Sequence, residues 1–403
     1  MTPSLTAALL DDATGRLPEM VELRRHLHRG PELGLDLPET QAAVLAALDG
    51  LPLDISTGTG CTSVVARLRG DRPGRTVLLR GDMDALPMPE DTGVDYASEI
   101  PGVMHACGHD SHVSMLVAAA RMLSARRDQI EGEVRFMFQP GEEGFAGAGV
   151  MIDEGVLDGV DGAFAIHISP NIPNRMVMTR PGPLMASADE VFITIRGRGG
   201  HASTPHFTAD PIPVACEIVT AIQTAVTRRV DAFNPAVVTI AKLEAGTTTN
   251  VIPETATASG TIRTVSEATR SAVHADLARL AEGIASAHGM QAEVRIERGY
   301  PVTVNDAGVA AVVLEVAGEM GMRTLEAPAP AMGAEDWSLV LQRVPGAMAF
   351  LGVCPPDVPD ARQAAACHSN VMRMDEDAMA VGAALHVAMA HALLAGRGLP
   401  GSA

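Results

Sequence analysis

Residues 137–144 read MFQPGEEG and set Glu142 and Glu143 side by side after a Pro-Gly turn. In a continuing strand, neighbouring side chains point to opposite faces. Pro140 and Gly141 end the strand and bend the chain, so both carboxylates can face one cleft. Two like charges there repel unless a cation or a shared proton sits between them. HACGHDSH, 105–112, supplies three His and a Cys just before a helix. Cys107 and His109 are two apart, close enough for both to approach one metal centre. His167 in AIHISP and His368 in CHSN stand at loop-like strand edges. Together Cys107, His109, Glu143, His167 and His368 make a nitrogen, sulfur and oxygen donor set that suits Mn²⁺ or Zn²⁺ first, with Co²⁺ and Ni²⁺ also admitted. Five donors exceed a closed tetrahedral site and match two divalent ions about 3.5 Å apart that share a ligand and a water. Glu142, beside a donor but not needed as one, is then placed as a general base. GDMDALP adds Asp82 and Asp84 at a strand end, either as ligands or as partners that orient a ligand His.

These residues must be carried by particular elements. Alternation and β-branched content predict strands at 62–68, 76–80, 132–138 and 162–167, with helices at 17–29, 39–49, 110–126 and near 147–155. Strands alternating with helices indicate a mostly parallel sheet with helices on both faces, and the polar residues gather after strand ends, where open α/β sheets place their sites. From about residue 186 the pattern changes to strand 189–197, helix 210–228, strands 235–246 and 254–265, helix 267–289 and strand 291–299. That order is β-α-β-β-α-β, the ferredoxin-like unit. A helix at 306–320, a strand at 346–353 and a closing helix at 375–396 return to the first pattern. The expected organisation is therefore a metal-binding catalytic domain of residues 1–185 and 300–403, interrupted by an inserted domain of residues 186–299.

With 403 residues the chain is long for a single core, and its apolar content of 47 % is that of a globular protein. A formal charge of −19 argues against nucleic acid or an anionic membrane surface as partner. The five cysteines are scattered and odd in number, which suits a reducing, cytoplasmic setting. No basic segment followed by an apolar run opens the chain, so a secretion signal is not expected. The Ala-rich stretch 378–396 is long enough to raise the question of a membrane span. His386 and His391 within it favour a small-residue helix packed on the sheet.

Seven stretches in chain order then carry a resemblance: LRRHLHRGPELG (23–34), RGDMDALP (80–87), HACGHDSH (105–112), QPGEEG (139–144), GRGGHASTPH (197–206), NVIPETATASGTIR (250–263) and MGAEDWSLVLQRVPGAMAFLG (332–352). The chain resembles the metallopeptidase family of aminoacylases, carboxypeptidase G and auxin-conjugate amidohydrolases, and within it the N-acyl-amino-acid amidohydrolase (hippurate hydrolase) branch. The resemblance implies a two-metal catalytic domain with an inserted lid domain that often dimerises, hence a homodimer or higher homo-oligomer. It places the ligands on Cys107, which bridges, His109, Glu143, His167 and His368, with Glu142 catalytic. His201, in GRGGHA, is similar to the family's lid histidine and is expected to stabilise the oxyanion. Asn250 and Arg263 are candidates for holding a substrate carboxylate. CHSNVMRMDE (367–376) departs from the family pattern by lacking the Pro and Phe that usually follow the ligand His, and GTTTN (246–250) is an uncommon spelling of the lid loop.

The expected activity is hydrolysis of the amide bond of a small N-acyl or N-aroyl amino acid, releasing a carboxylic acid and a free amino acid. A dipeptidase or carboxypeptidase, or a deacylase of an N-acyl-diaminopimelate, would use the same chemistry. An amino-acid-binding module is the non-enzymatic alternative, and the base beside the donor set argues against it. The thiolate and the Glu143 carboxylate offset only half the charge of two divalent ions, so such a site would attract an anionic substrate despite the acidic total.

Overall fold

The computed structural model describes residues 3–401. The chain divides into two compact units, one of residues 1–184, 304–329 and 336–403, the other of residues 185–303 and 330–335.

The first unit is built on an eight-stranded sheet. Its middle is four mutually parallel strands in the order Glu131–Gln139, Arg72–Asp82, Gly162–Ser169, Gly346–Gly352. Asp54–Thr57 and Val64–Arg69 extend one side antiparallel, and Val177–Thr179 turns antiparallel on the other before Thr324–Glu326 pairs parallel with it. The middle strands are buried along most of their length, as parallel strands covered by helices must be. All three strands that carry predicted site residues or run into them, Arg72–Asp82, Glu131–Gln139 and Gly162–Ser169, end at the same edge. This follows from their being parallel neighbours in register.

Helices Pro3–Gly15, Leu17–Arg29, His109–Ser124 and Met379–Leu394 pack on one another, and the last two pack on the sheet. Met379–Leu394 is apolar all round and almost wholly buried, so the stretch that could pass for a membrane span by length is a core helix. Gly382 makes this packing possible: a Cβ there would lie 2.0 Å from Met115 Sδ of the neighbouring helix.

The sequence reading of this unit missed the first helix, Pro3–Gly15, and the short strands Asp54–Thr57, Val177–Thr179 and Thr324–Glu326. These strands are three or four residues long, too short for a period to show. The strand expected at 76–80 begins earlier, at Arg72. The closing helix is preceded by a 3₁₀ turn, Glu376–Ala378.

The second unit is a four-stranded antiparallel sheet in the order Ala236–Ala245, Thr255–Thr264, Asp189–Arg196, Gln291–Arg298. Helices Pro211–Arg229 and Glu267–Ala287 pack against it. This is the ferredoxin-like arrangement. Alternation does the work: Val191, Ile193 and Ile195 face a core shared with Ile218, Ile222 and Leu277, while the intervening residues are half-exposed or exposed. Asp210 and Ser266 cap the two helices by accepting from the amides of Ile212 and Thr269.

Candidate metal centre

Glu143 lies past the end of Glu131–Gln139, His167 among the last residues of Gly162–Ser169, Cys107 just before and His109 at the start of His109–Ser124, and His368 in the loop before Glu376–Ala378. The Glu pair follows Glu131–Gln139, where Gly141 takes φ +72° and a Cβ would meet Leu35 Cδ2 at 2.5 Å. Asp84, just beyond Arg72–Asp82, accepts the Glu142 amide with Oδ1 at 2.9 Å and the Glu143 amide with Oδ2 at 3.0 Å. Both of its oxygens are therefore spent on fixing the turn that carries the pair. Glu142 is buried and Glu143 half-buried.

His109 opens the helix His109–Ser124 after Gly108, whose φ is +79°. It is buried, and neither ring nitrogen makes a hydrogen bond. Carboxylates surround it: Nε2 is 3.5 Å from Asp82 Oδ2 and Nδ1 is 3.5 Å from Asp84 Oδ1. Burial opposes its charged form, but the Asp82, Asp84 and Glu143 carboxylates prevail and raise its pKa well above the usual range. The spot thus calls for positive charge.

His167, in Gly162–Ser169, donates from Nδ1 to the Ile168 carbonyl at 2.7 Å, which leaves Nε2 as an acceptor, 3.3 Å from Cys107 Sγ. This tautomer is the one a metal-binding imidazole requires. Burial pushes His167 down to about 4, keeping the ring neutral. His368 adopts the left-handed φ of +68°, and its amide donates to the Ala106 carbonyl at 2.8 Å. Its Nε2 reaches Glu143 Oε1 at 3.1 Å. That contact raises the His368 pKa, burial opposing.

The five predicted donors come together. The donor atoms of Cys107, His109 and His167 lie within 4.8 Å of one another, as do those of Cys107, Glu143 and His368. Cys107 belongs to both triads, and Glu142 forms a further close group with His109 and Glu143. An unpartnered buried imidazole among carboxylates, an acceptor-ready His167 and a thiol common to two triads fit a pair of borderline divalent ions.

Asp82 and Asp84, open between ligand and orienting roles in the sequence, are both engaged as orienting groups. Asp82 Oδ1 binds His112 Nδ1 at 2.5 Å, and His112 Nε2 accepts the Ile168 amide at 2.9 Å. Both His112 nitrogens are thereby occupied, so its grouping with Asp82 and His109 offers no further imidazole donor. Burial pushes His112 down to about 4. Glu32 accepts the Thr40 amide at 2.8 Å, and its own carbonyl accepts the Ala85 amide.

The sequence reading overlooked Arg80. Wholly buried, it holds Asp82, donates to Gln139 Oε1 at 2.9 Å and reaches Asp336 Oδ1 at 3.1 Å. Asp336 in turn accepts the Ala148 amide. One guanidinium therefore ties two of the strand ends that carry the site to the loop before Trp337. A lone Arg inside an apolar strand, RTVLLRGD, was the available signal.

In the second unit, His201 and Asn250 share a two-stranded ribbon: His201 pairs with Val251, and the Ala202 amide donates to the Asn250 carbonyl at 3.0 Å. Both are exposed. His201 Nδ1 is held by the Ser203 amide and hydroxyl at 3.1 and 2.7 Å, leaving Nε2 outward. Arg263 is half-buried near the far end of the ten-residue strand Thr255–Thr264, in register with Val237, away from that ribbon.

Residues 78–392 match Peptidase family M20/M25/M40. The chain is 40 % identical to thermostable carboxypeptidase 2 of Saccharolobus solfataricus over 93 % of its length and 94 % of that protein. It is 42 % identical to the N-acyl-L-amino acid amidohydrolase of Geobacillus stearothermophilus over 71 % of this chain and 78 % of that one. Among solved structures it resembles a dinuclear metal-binding peptidase of the M20 family from Bacillus subtilis, with a TM-score of 0.84 and 33 % identity over 94 % of this chain and 99 % of that one. With donor groups able to hold metal at the C-terminal ends of the parallel strands, the chain belongs to peptidase family M20/M25/M40 and is a metal-dependent hydrolase of the amidohydrolase and peptidase kind.

Proposed function

We propose that the protein hydrolyses the amide bond of N-acyl or N-aroyl amino acids, releasing a carboxylic acid and a free amino acid. The observation that carries this reading is the pair of donor triads joined at Cys107 with the Glu142 carboxylate alongside. Cys107, His109 and His167 would hold one ion and Cys107, Glu143 and His368 the other, with Mn²⁺ or Zn²⁺ the preferred metals. When bound, such ions supply Lewis acidity to an amide carbonyl and to an attacking water. Glu142 takes the water proton and delivers it to the leaving amine. Asp84 keeps Glu142 in place through its amide, and Asp82 and His112 keep the strand ends in register.

The inserted unit acts as a lid. His201, its Nδ1 occupied by Ser203, offers Nε2–H to the developing oxyanion, and Asn250 on the same ribbon holds the substrate carboxylate, whereas Arg263, away from that ribbon, does not join Asn250 on one carboxylate. Subunits associate through this unit: its edge strand Ala236–Ala245 is largely exposed, and Phe233, Val237 and Leu243 lie bare on or beside it. The free cysteines support a cytoplasmic setting. The identity to a carboxypeptidase favours a second reading, cleavage of a C-terminal residue from a short peptide, by the same groups.

The test is Glu142→Gln on a panel of acetyl, benzoyl and long-chain acyl amino acids alongside dipeptides. Turnover should fall by about 10³–10⁴-fold, the upper part of the usual range for general acid-base groups, because one residue serves both steps. Metal content, measured by mass spectrometry of the metal, should be unchanged. A variant with parental turnover removes Glu142 from the mechanism, and a preference for unblocked dipeptides selects the second reading.

A further inference from the structure

Cys367 is a thiol that the donor set does not use. It precedes His368 in the segment that departs from the family pattern, and it belongs to neither donor triad. Three contacts nevertheless place it against the shared donor Cys107. The His368 amide donates to the Ala106 carbonyl at 2.8 Å, so residues 367–368 run beside residues 106–107. Cys367 Sγ points at the Ile168 carbonyl, 3.9 Å away, while Cys107 Sγ lies 3.3 Å from Nε2 of the preceding His167. The two thiols therefore lie against consecutive residues of the strand Gly162–Ser169, Cys107 at the His167 ring and Cys367 at the Ile168 carbonyl, which itself accepts from His167 Nδ1 at 2.7 Å. His368 takes the left-handed φ of +68° and its imidazole reaches Glu143 Oε1, while the preceding Cys367 thiol turns to the Ile168 carbonyl. All five cysteines are free, and the other three lie elsewhere: Cys216 on the surface of the second unit, Cys61 and Cys354 in loops.

Disulfides close only where two chain segments run side by side, with Cα atoms within about 7 Å. The Ala106–His368 bond joins the residues next to Cys107 and Cys367 and so brings the two segments side by side. Cys367 is also partly accessible, whereas Cys107 is buried, so a small oxidant meets Cys367 first.

We propose that Cys107 and Cys367 are an oxidation site for peroxides, closing a reversible disulfide that withdraws Cys107 from both donor triads. Hydrogen peroxide oxidises the Cys367 thiol to a sulfenic acid and is reduced to water. The Cys107 thiol then attacks that sulfur, forming the S–S bond and expelling the sulfenic oxygen as a second water. Two thiols lose two protons and two electrons in all. A dithiol reductant reverses the step by exchange. Because one thiol serves both triads, a single disulfide depletes the donors of both ions at once. This consequence rests on the reading of Cys107 as a shared ligand; the disulfide itself does not.

The experiment uses the full chain, metal-free and loaded with Zn²⁺, treated with hydrogen peroxide and digested without reduction for peptide mass mapping. The metal-free protein should yield a Cys107–Cys367 cross-linked peptide, two hydrogens lighter than the free pair and cleaved by dithiothreitol. Cys367→Ser and Cys367→Ala should lack it, and Cys216→Ser should retain it. In the loaded protein, Zn²⁺ release followed with a colorimetric chelator should be at least about ten-fold faster in the parent than in Cys367→Ser. No cross-link in either state, or Cys107 carried to the sulfinic acid while Cys367 stays reduced, overturns the proposal. A cross-link that forms in the loaded protein without Zn²⁺ release overturns instead the assignment of Cys107 as a shared ligand.

Discussion

Asp84 offers the most direct test of how the site is held. Its carboxylate accepts two backbone amides, those of Glu142 and Glu143, at 2.9 and 3.0 Å. It is 1 % exposed, so water does not replace a lost partner. Asp84→Asn keeps the shape and one acceptor but turns the other oxygen into an NH₂ that faces an amide N–H. A hydrogen bond to a charged group contributes about 1.5–3 kcal/mol, and a buried donor left without an acceptor costs about 1–3 kcal/mol. Losing one such bond and weakening the other should therefore cost about 3 kcal/mol in urea unfolding, read as a lowered midpoint with unchanged slope. Turnover should suffer more than binding. The freed turn misplaces Glu142, and a displacement of about 1 Å can cost about 10²-fold in rate. The expected result is kcat down about 10²-fold, KM within a few-fold, and metal content close to parental, because all five donors are intact. Parental kcat together with an unchanged urea midpoint would refute the claim that Asp84 positions the Glu pair.

Three other perturbations read different parts of the molecule. His386, wholly buried in Met379–Leu394 with Nδ1 unpartnered, is pushed down to about 3 by burial and by His112. Its folded pKa lies below the unfolded one of about 6.5, so the unfolded chain binds the proton more readily and stability falls as pH drops from about 6.5 toward 3. His386→Met should remove about 3 kcal/mol of the loss seen between pH 6.5 and 4, and a parallel decline in parent and variant would show that His386 does not titrate in this way. Gly382→Ala should cost about 1–3 kcal/mol by overpacking against Met115, seen as a lower Tm, and Met115→Ala in the same chain should recover part of it. EDTA should abolish hydrolysis, with Mn²⁺ or Zn²⁺ restoring it, while far-UV circular dichroism stays unchanged because the strand ends are tied by Arg80, Asp82 and His112 rather than by metal. Hydrolysis that survives complete metal removal would contradict the donor-set reading.

Much of this protein is determined by local sequence. Alternation and helical period mark Leu17–Arg29, Glu131–Gln139 and the whole β-α-β-β-α-β insertion within a few residues, because each of these elements has one buried face or is buried throughout. The chemistry of the site is also local in kind: a thiol, imidazoles and carboxylates at strand ends are borderline metal donors wherever they fall. What the sequence leaves open is which of them meet. His105, His109 and His112 stand within one octapeptide, yet the structure occupies both nitrogens of His112 with Asp82 and Ile168 and leaves both of His105 unpartnered, its pKa pushed down to about 3 by burial. Of the three, only His109 joins Cys107 and His167 in a donor triad. Asp82 and Asp84 look alike in GDMDALP, but parallel pairing puts one between Arg80 and His112 and the other under the Glu142–Glu143 turn. Arg80 and Cys367 acquire their meaning only from partners far away in the chain, Asp336 and Cys107. Side-chain type sets what a group can bind, whereas its partners are set by strand register and crossover, which depend on packing across the whole sheet. The Glu142–Glu143 pair therefore declares its chemistry in eight residues, and the division of labour within it comes from tertiary contacts.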